Sequence, residues 1–307
     1  MRSCRLTGGL SQGHLNRRLT THRFDGSGRA RGNTFAPGTE PVAVTSHADA
    51  DACEPRIQGE GTIEAMTQTI AENETYLFGN GLEVFRHHLL DFQVSRYLSD
   101  GNRNLHEPVE EDWFLRLIDS CDRPDLRFCD IGGGIGYYTL LLLKLRAEAE
   151  ATVFEFLPAH ISAIRENLAL NGISPGRMTL IEAAAHVSDG VVEVSDSDFS
   201  SHVVIEDAPV AKGTRHRVPA RDLAALLAAE PAPFDIAKLD VQGGEATLLS
   251  HVVESGQAGQ IRNWIIGTHG EAIFAECLDI LSPHWRILHQ DPNPPHQPDG
   301  LIVATLA

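Results

Sequence analysis

Glycines at 132, 133, 134 and 136 follow Asp130 inside residues 128–139, FCDIGGGIGYYT. A run with so few Cβ atoms lets a ligand lie against the backbone, with a carboxylate waiting at its start. Spacing narrows the ligand class. A G-x-G-x-x-G dinucleotide fingerprint would need glycine or alanine where Tyr137 stands, and the Gly-Lys-Ser/Thr of a P-loop is absent. A second acid, Glu155, ends the apolar segment 151–156, where the two oxygens of one carboxylate can accept both hydroxyls of a ribose. A third, Glu182, stands near the end of residues 178–183, in reach of an adenine amino group.

These side chains need elements to hold them. Leu126, Phe128 and Ile131 rise into the turn and residues 137–145 leave it as an apolar helix, which predicts strand, tight turn and helix N-terminus in succession. Residues 151–156 and 178–183 read as the second and third strands, with a helix over 158–170 stopped by Asn171-Gly172. The alternation across 184–218 predicts a β-hairpin insertion with a Ser/Asp-rich bend at 195–201, followed by a short helix over 221–229. A fourth strand, 234–240, delivers Asp240 ahead of a helix that opens at Glu245. A fifth, 264–266, leads to His269, and a helix over 272–281 precedes strands at 285–289 and 301–304. Upstream, apolar residues recur at roughly helical spacing from 76 to 98, and residues 108–120 begin with proline and three acids that suit a helix dipole. His87–His88 reads as a surface or packing pair, because no carboxylate–histidine spacing accompanies it, and no metal site is expected.

The chain of 307 residues has 25 basic and 42 acidic side chains, a net charge of −17, which argues against nucleic acid as the partner. No apolar run reaches membrane-spanning length, since the longest, from Tyr137, is cut by Lys144. Five scattered cysteines without a C-x-x-C pair read as reduced thiols in a cytoplasmic protein.

The pattern Asp130-x-Gly132-x-Gly134-x-Gly136 resembles motif I of the class I S-adenosylmethionine (SAM) methyltransferases. Together with CDIGGGIGYY (129–138), Phe154-Glu155, NLALNGI (167–173), AAHVSDG (184–190), Arg221-Asp222-Leu223, KLDVQGGE (238–245) and residues 266–270, it makes the chain from about Glu107 onward resemble the FkbM family of these enzymes. The resemblance implies an α/β, Rossmann-like fold: a seven-stranded, mostly parallel sheet with a terminal antiparallel hairpin and a helical N-terminal extension. It implies SAM as methyl donor and a hydroxyl of a sugar, glycolipid or natural product as acceptor. Residues 1–65 are then expected to be a disordered or targeting-like tail, with Met66 as the biological start. Residues 66–122 form a helical cap and 123–307 the methyltransferase domain. Asp130, Gly132, Gly134, Gly136, Glu155 and Glu182 are the expected cofactor residues. The chain departs from the family at Gln242, where Asp-Val-Glu-Gly is usual, and at Gly267, where an acid precedes the histidine.

Ligands of open α/β sheets sit outside the carboxyl ends of the strands where strand order reverses, so Asp130, Asp240 and His269 are expected to converge. Methyl transfer from a sulfonium depends mainly on positioning, and an alcohol acceptor must lose a proton, which a neutral histidine can take. His269 is the expected base, Asp240 orients the acceptor or the amino acid moiety of SAM, and Glu245 is a further candidate for either role. The plainer readings are a packing histidine and a helix N-cap aspartate. Two other classes stay open: a SAM-binding module without transfer, suggested by Gln242 and Gly267, and a nicotinamide oxidoreductase, suggested by the glycine turn and Glu155.

Overall fold

The computed structural model describes residues 73–196, 202–203 and 214–307. The expected tail, the start at Met66 and most of the Ser/Asp-rich bend lie outside the described residues.

Strands β1 (Thr75–Leu77) and β2 (Glu83–Phe85) pair as an antiparallel hairpin. A 3-10 turn (Arg86–His88), helix α1 (Asp91–Tyr97) and helix α2 (Pro108–Ser120) follow. The single helix expected across residues 76–98 is therefore wrong, and the turn chemistry shows why. Phe78 N–H donates to Leu82 O at 2.9 Å, Asn80 Oδ1 accepts Leu82 N–H at 2.9 Å, and Gly81 takes φ +83°. That closes a tight turn where a helix would have to continue. Alternating strand residues and one short helix together produced an average spacing that mimicked a longer helix.

The main domain runs β3 (Arg127–Ile131), α3 (Tyr137–Leu145), β4 (Glu150–Phe154), α4 (Pro158–Leu170) and β5 (Met178–Ile181). After an insertion come α5 (Leu223–Ala229), β10 (Ile236–Leu239), α6 (Glu245–Glu254), β11 (Asn263–Thr268), α7 (Glu271–Leu281), β12 (Trp285–Asp291) and β13 (Gly300–Leu306). Among the described residues the sheet has seven strands in the order β12-β13-β11-β10-β3-β4-β5, parallel from β11 to β5 and closed by the antiparallel β12–β13 pair. The insertion, β6 (Ala184–His186), β7 (Gly190–Asp196), β8 (His202–Val203) and β9 (Thr214–Asp222), forms its own four-stranded sheet. It is more than the expected hairpin, because β6 pairs in parallel with β9 while β7 returns antiparallel.

Both faces of the large sheet are buried, which is why its strands read as continuous apolar runs. Phe128, Ile236, Ile265 and Val303 face a core shared with α2, α3, α4 and the hairpin. Their neighbours Cys129, Ala237, Trp264 and Ile302 face the other core, under α5, α6 and α7. Helix α3 is buried at every position from Tyr137 to Leu143 because it lies between sheet and cap. Among the described residues no helix is long and apolar enough to cross a membrane.

Candidate functional site

Strand order reverses between β3 and β10, and there a cavity of about 350 Å³ opens at the strands' carboxyl ends. Its size suits a small ligand.

One half of the wall is the glycine turn and the end of β4. A Cβ on Gly132 would lie 1.9 Å from the Asp240 carbonyl oxygen, so only glycine lets the turn pass beneath the end of β10. At Gly134, with φ +55°, a Cβ would meet nothing within 4 Å, so the turn leaves its cavity side clear. Glu155 stands in the wall with its carboxylate locked by backbone donors. Oε2 accepts Gly134 N–H at 2.9 Å, and Oε1 accepts Phe156 N–H at 2.7 Å and Leu157 N–H at 2.8 Å. Oε1 thus has both lone pairs engaged, and Oε2 keeps acceptor capacity for a hydroxyl. Asp130, also in the wall, accepts the Thr139 hydroxyl at 2.7 Å, and burial pushes its carboxyl up to about 6 against that hydrogen bond. Phe154, Phe156 and Ala183–Ala185 make the apolar remainder of this half.

Two expected cofactor residues are elsewhere. Gly136 caps the start of α3 and does not line the cavity. Glu182 is half exposed and ion-paired with Arg165, because the strand ends one residue earlier and its side chain turns outward. Its expected place near the end of the third strand, in reach of an adenine, does not follow once the strand ends at Ile181.

The other half is polar and largely buried. Lys238 adjoins Asp130 in the sheet register and is 4% exposed. Its Nζ donates to Asp240 Oδ2 at 2.8 Å and lies 3.1 Å from Glu110 Oε1 of α2, an ion pair set off the hydrogen-bond axis. Burial works against the ammonium, but the carboxylates of Asp240, Glu110 and Glu107 outweigh it and hold Lys238 charged. Asp240 is in turn kept below the usual carboxylate range: its burial is overcome by Lys238 and then by His269. Glu107 and His106 line the cavity beside them. Burial and the neighbouring Glu110 raise the Glu107 carboxyl well above its ordinary range. Burial drives His106 down to about 3, so its ring is neutral, with Nδ1 2.7 Å from the Tyr97 hydroxyl.

His269 does converge on Asp240, as expected, but it stands behind that residue and does not line the cavity. Its Nδ1 lies 2.8 Å from Glu245 Oε1, and its Nε2 is 3.3 Å from Asp299 Oδ1 and 3.7 Å from Asp240 Oδ1. Burial disfavours the charged ring, but the Glu245 hydrogen bond and the Asp240 charge lift it to about 9. The expected neutral base is therefore a cation at neutral pH. Glu245 is fully buried and its oxygens also accept the Val241 and Gly243 N–H groups, so it holds the loop and the ring and faces no ligand. The departures from the family pattern fit this arrangement. A Cβ at Gly267 would sit in ordinary contact with Asp240 Cγ at 3.5 Å, so an acid there would set a second carboxylate beside Asp240, and Asp299 brings a carboxylate to His269. Gln242 donates to Asp240 Oδ1 at 3.2 Å.

Lys238, Glu107, Glu110, His106 and Asp299 escaped the sequence reading. A lysine inside the apolar strand FDIAKLD was the available signal, since a charge on a fully buried strand needs a partner. Glu110 and Glu111 suit a helix dipole by their position in the sequence, yet both are 1% exposed. Glu111 accepts the Tyr137 hydroxyl at 2.5 Å.

Residues 130–282 match the family model described as the methyltransferase FkbM domain. No curated protein matches the sequence. Among solved structures, the chain is similar to an rRNA methylase from Streptococcus thermophilus (12% identity, 64% of this chain and 94% of that one, TM-score 0.41). It is also similar to a putative O-methyltransferase from Klebsiella pneumoniae (14% identity, 70% and 88%, TM-score 0.43). A third is M. capricolum TrmK in complex with S-adenosyl-homocysteine (12% identity, 63% and 67%, TM-score 0.39).

Proposed function

With an FkbM methyltransferase domain across residues 130–282 as the premise, we propose that this SAM-dependent methyltransferase acts on a hydroxyl oxygen of a sugar, glycolipid or natural product. The observation that carries the reading is the division of one cavity into a glycine-and-carboxylate half and a buried, hydrogen-bonding half.

The first half suits the cofactor. The locked Glu155 carboxylate offers Oε2 to a ribose hydroxyl, Phe156 and Ala183–Ala185 offer an apolar slot to adenine, and Asp130 beside the clear face of Gly134 offers an acceptor to an amino group. SAM supplies a methyl group on a sulfonium that is a good leaving group. What the chain must add is alignment of the acceptor oxygen and a place for its proton.

The second half meets those needs. Asp240, fixed by Lys238 and Gln242, accepts a hydrogen bond from the incoming hydroxyl and sets its direction. Glu107, held at about 8 by burial and by Glu110, is protonated at neutral pH and takes the hydroxyl proton once ionised, so the rate should rise with pH through about 8. His269, a cation wedged among Asp240, Glu245 and Asp299, positions Asp240 and is not itself the base. The net charge of −17 and an acid-rich acceptor half favour a neutral hydroxylated acceptor over a nucleic acid.

The test is calorimetric titration with SAM and S-adenosylhomocysteine, followed by labelled methyl transfer to a panel of glycans and polyols. Indifference to both compounds at millimolar concentration removes the reading. Binding without transfer to any hydroxyl favours a non-transferring module.

A further inference from the structure

His87, His88 and Glu166 lie outside the cavity, on the 3-10 turn after β2 and on α4, with one ligand atom of each within 4.8 Å of the other two. We propose that these three side chains bind a divalent transition-metal ion of the zinc type through two imidazoles and one carboxylate.

The hydrogen bonds around the cluster fix the direction of each donor atom. Asn167, fully buried, has its amide orientation set from both ends: Oδ1 accepts Phe85 N–H at 3.0 Å and Nδ2 donates to Ile135 O at 3.2 Å. His88 Nδ1 lies 3.2 Å from that same Oδ1. An oxygen there requires the proton to be on Nδ1, which leaves the lone pair on Nε2. Nε2 faces Glu166 Oε2 at 3.2 Å, a contact that needs positive charge between the two atoms, from a second ring proton or from a metal ion. His87 Nε2 closes on the same oxygen at 3.7 Å, so a metal ion at this point has three donor atoms within reach. The far oxygen, Glu166 Oε1, is occupied by the Ser162 hydroxyl at 2.7 Å, which turns Oε2 toward the rings.

His88 is thus a ligand whose orientation is set by a neighbour on its other ring nitrogen, the arrangement that metal-bound histidines show. Bond lengths of about 2.0–2.2 Å to nitrogen and oxygen place tetrahedral zinc ligands roughly 3.3 Å apart, between the two separations found here. The rings sit 4.1 Å apart, with His87 exposed enough for water to fill the fourth position. Two imidazoles with one carboxylate suit zinc and its neighbours better than calcium or magnesium, which prefer oxygen. The ion would tie the end of β2 to α4, a junction where Asn171 already receives Glu83 N–H and returns a hydrogen bond to Glu83 O.

The experiment is zinc titration of the chelator-treated full chain by calorimetry, with thermal unfolding recorded at each zinc level. The wild type is expected to bind one zinc ion that Glu166→Gln and His87→Ala do not bind, and to show a zinc-dependent rise in Tm that both variants lack. Ser162→Ala should weaken the same site roughly tenfold. Neither Glu166→Gln nor His87→Ala should change S-adenosylhomocysteine affinity, and that unchanged affinity shows the variants are folded. Equal zinc stoichiometry in wild type and both variants, or no binding by the wild type at millimolar zinc, overturns the proposal.

Discussion

Replacing Lys238 with methionine removes one charge and keeps most of the volume. The ammonium is 4% exposed and serves two carboxylates, Asp240 at 2.8 Å and Glu110 at 3.1 Å, the latter on a residue only 1% exposed. Taking one partner from a buried ion pair leaves an uncompensated charge and costs about 3–5 kcal/mol. At about 2–4 °C per kcal/mol for a domain of this size, Tm should fall by roughly 6–20 °C. The pH dependence gives the charge its signature. In the wild type Asp240 is depressed, so its contribution is present above the unfolded carboxylate range and is lost on acidification. In Lys238→Met Asp240 loses its main counter-charge and Glu110, already raised by burial, rises further, so the variant folds with bound protons and loses stability as pH rises. The gap in Tm between the two proteins should therefore be wide at pH 8 and narrow toward pH 5. Lys238→Met combined with Glu110→Gln should recover part of the loss, since one of the stranded charges is gone. Scanning calorimetry across that pH range checks all three. A Tm within about 2 °C of wild type at pH 8, or a gap that widens on acidification, would refute the ion-pair account.

Four other substitutions probe the rest of the site. Glu155→Gln keeps the shape but removes the charge from the proposed ribose hydrogen bond and should weaken S-adenosylhomocysteine binding by about 1.5–3 kcal/mol, roughly 10- to 150-fold; Glu182→Ala, at an exposed ion pair, should leave that affinity unchanged, and calorimetry reads both. His269 is raised from 6.5 to about 9, so the stability it contributes is complete below about pH 6.5 and lost as pH rises through 9. His269→Gln should remove that slope from the Tm-against-pH curve, while the rate profile keeps the ascending limb assigned to Glu107. Gly132→Ala would put a Cβ against the Asp240 carbonyl at φ +90° and should lower Tm and abolish cofactor binding together, read by thermal unfolding with and without S-adenosylhomocysteine.

The glycine-turn half of the cavity was legible because its determinants are local. The bend at Asp130–Gly136 and the acid at Glu155 follow strands whose apolar runs are unbroken, so backbone period and residue type agree. The terminal β12–β13 pair was readable for the same reason. The polar half was not, because it is assembled across distance. Lys238 acquires its meaning from Glu110, which a dipole argument explained adequately on its own, and Asp299 reaches His269 from a Pro/Asn/His loop with no periodicity. His87–His88 lacked a carboxylate at any local spacing, yet Glu166 lies 3.2 Å from His88 Nε2 once α4 packs against the hairpin. The hairpin itself was misread because a spacing average cannot separate two short periods from one long one.

Phe92, Gln93, Arg96, Tyr97, His106 and Glu107 all border the cavity, and all precede residue 130, where the family match begins. The cavity border is thus shared between a stretch outside the family match and residues within or beyond it, Lys238, Asp240 and Asp299 among them. On the proposed reading, grafting residues 73–107 from one relative onto another should shift substrate preference while the glycine turn and Glu155 keep donor affinity.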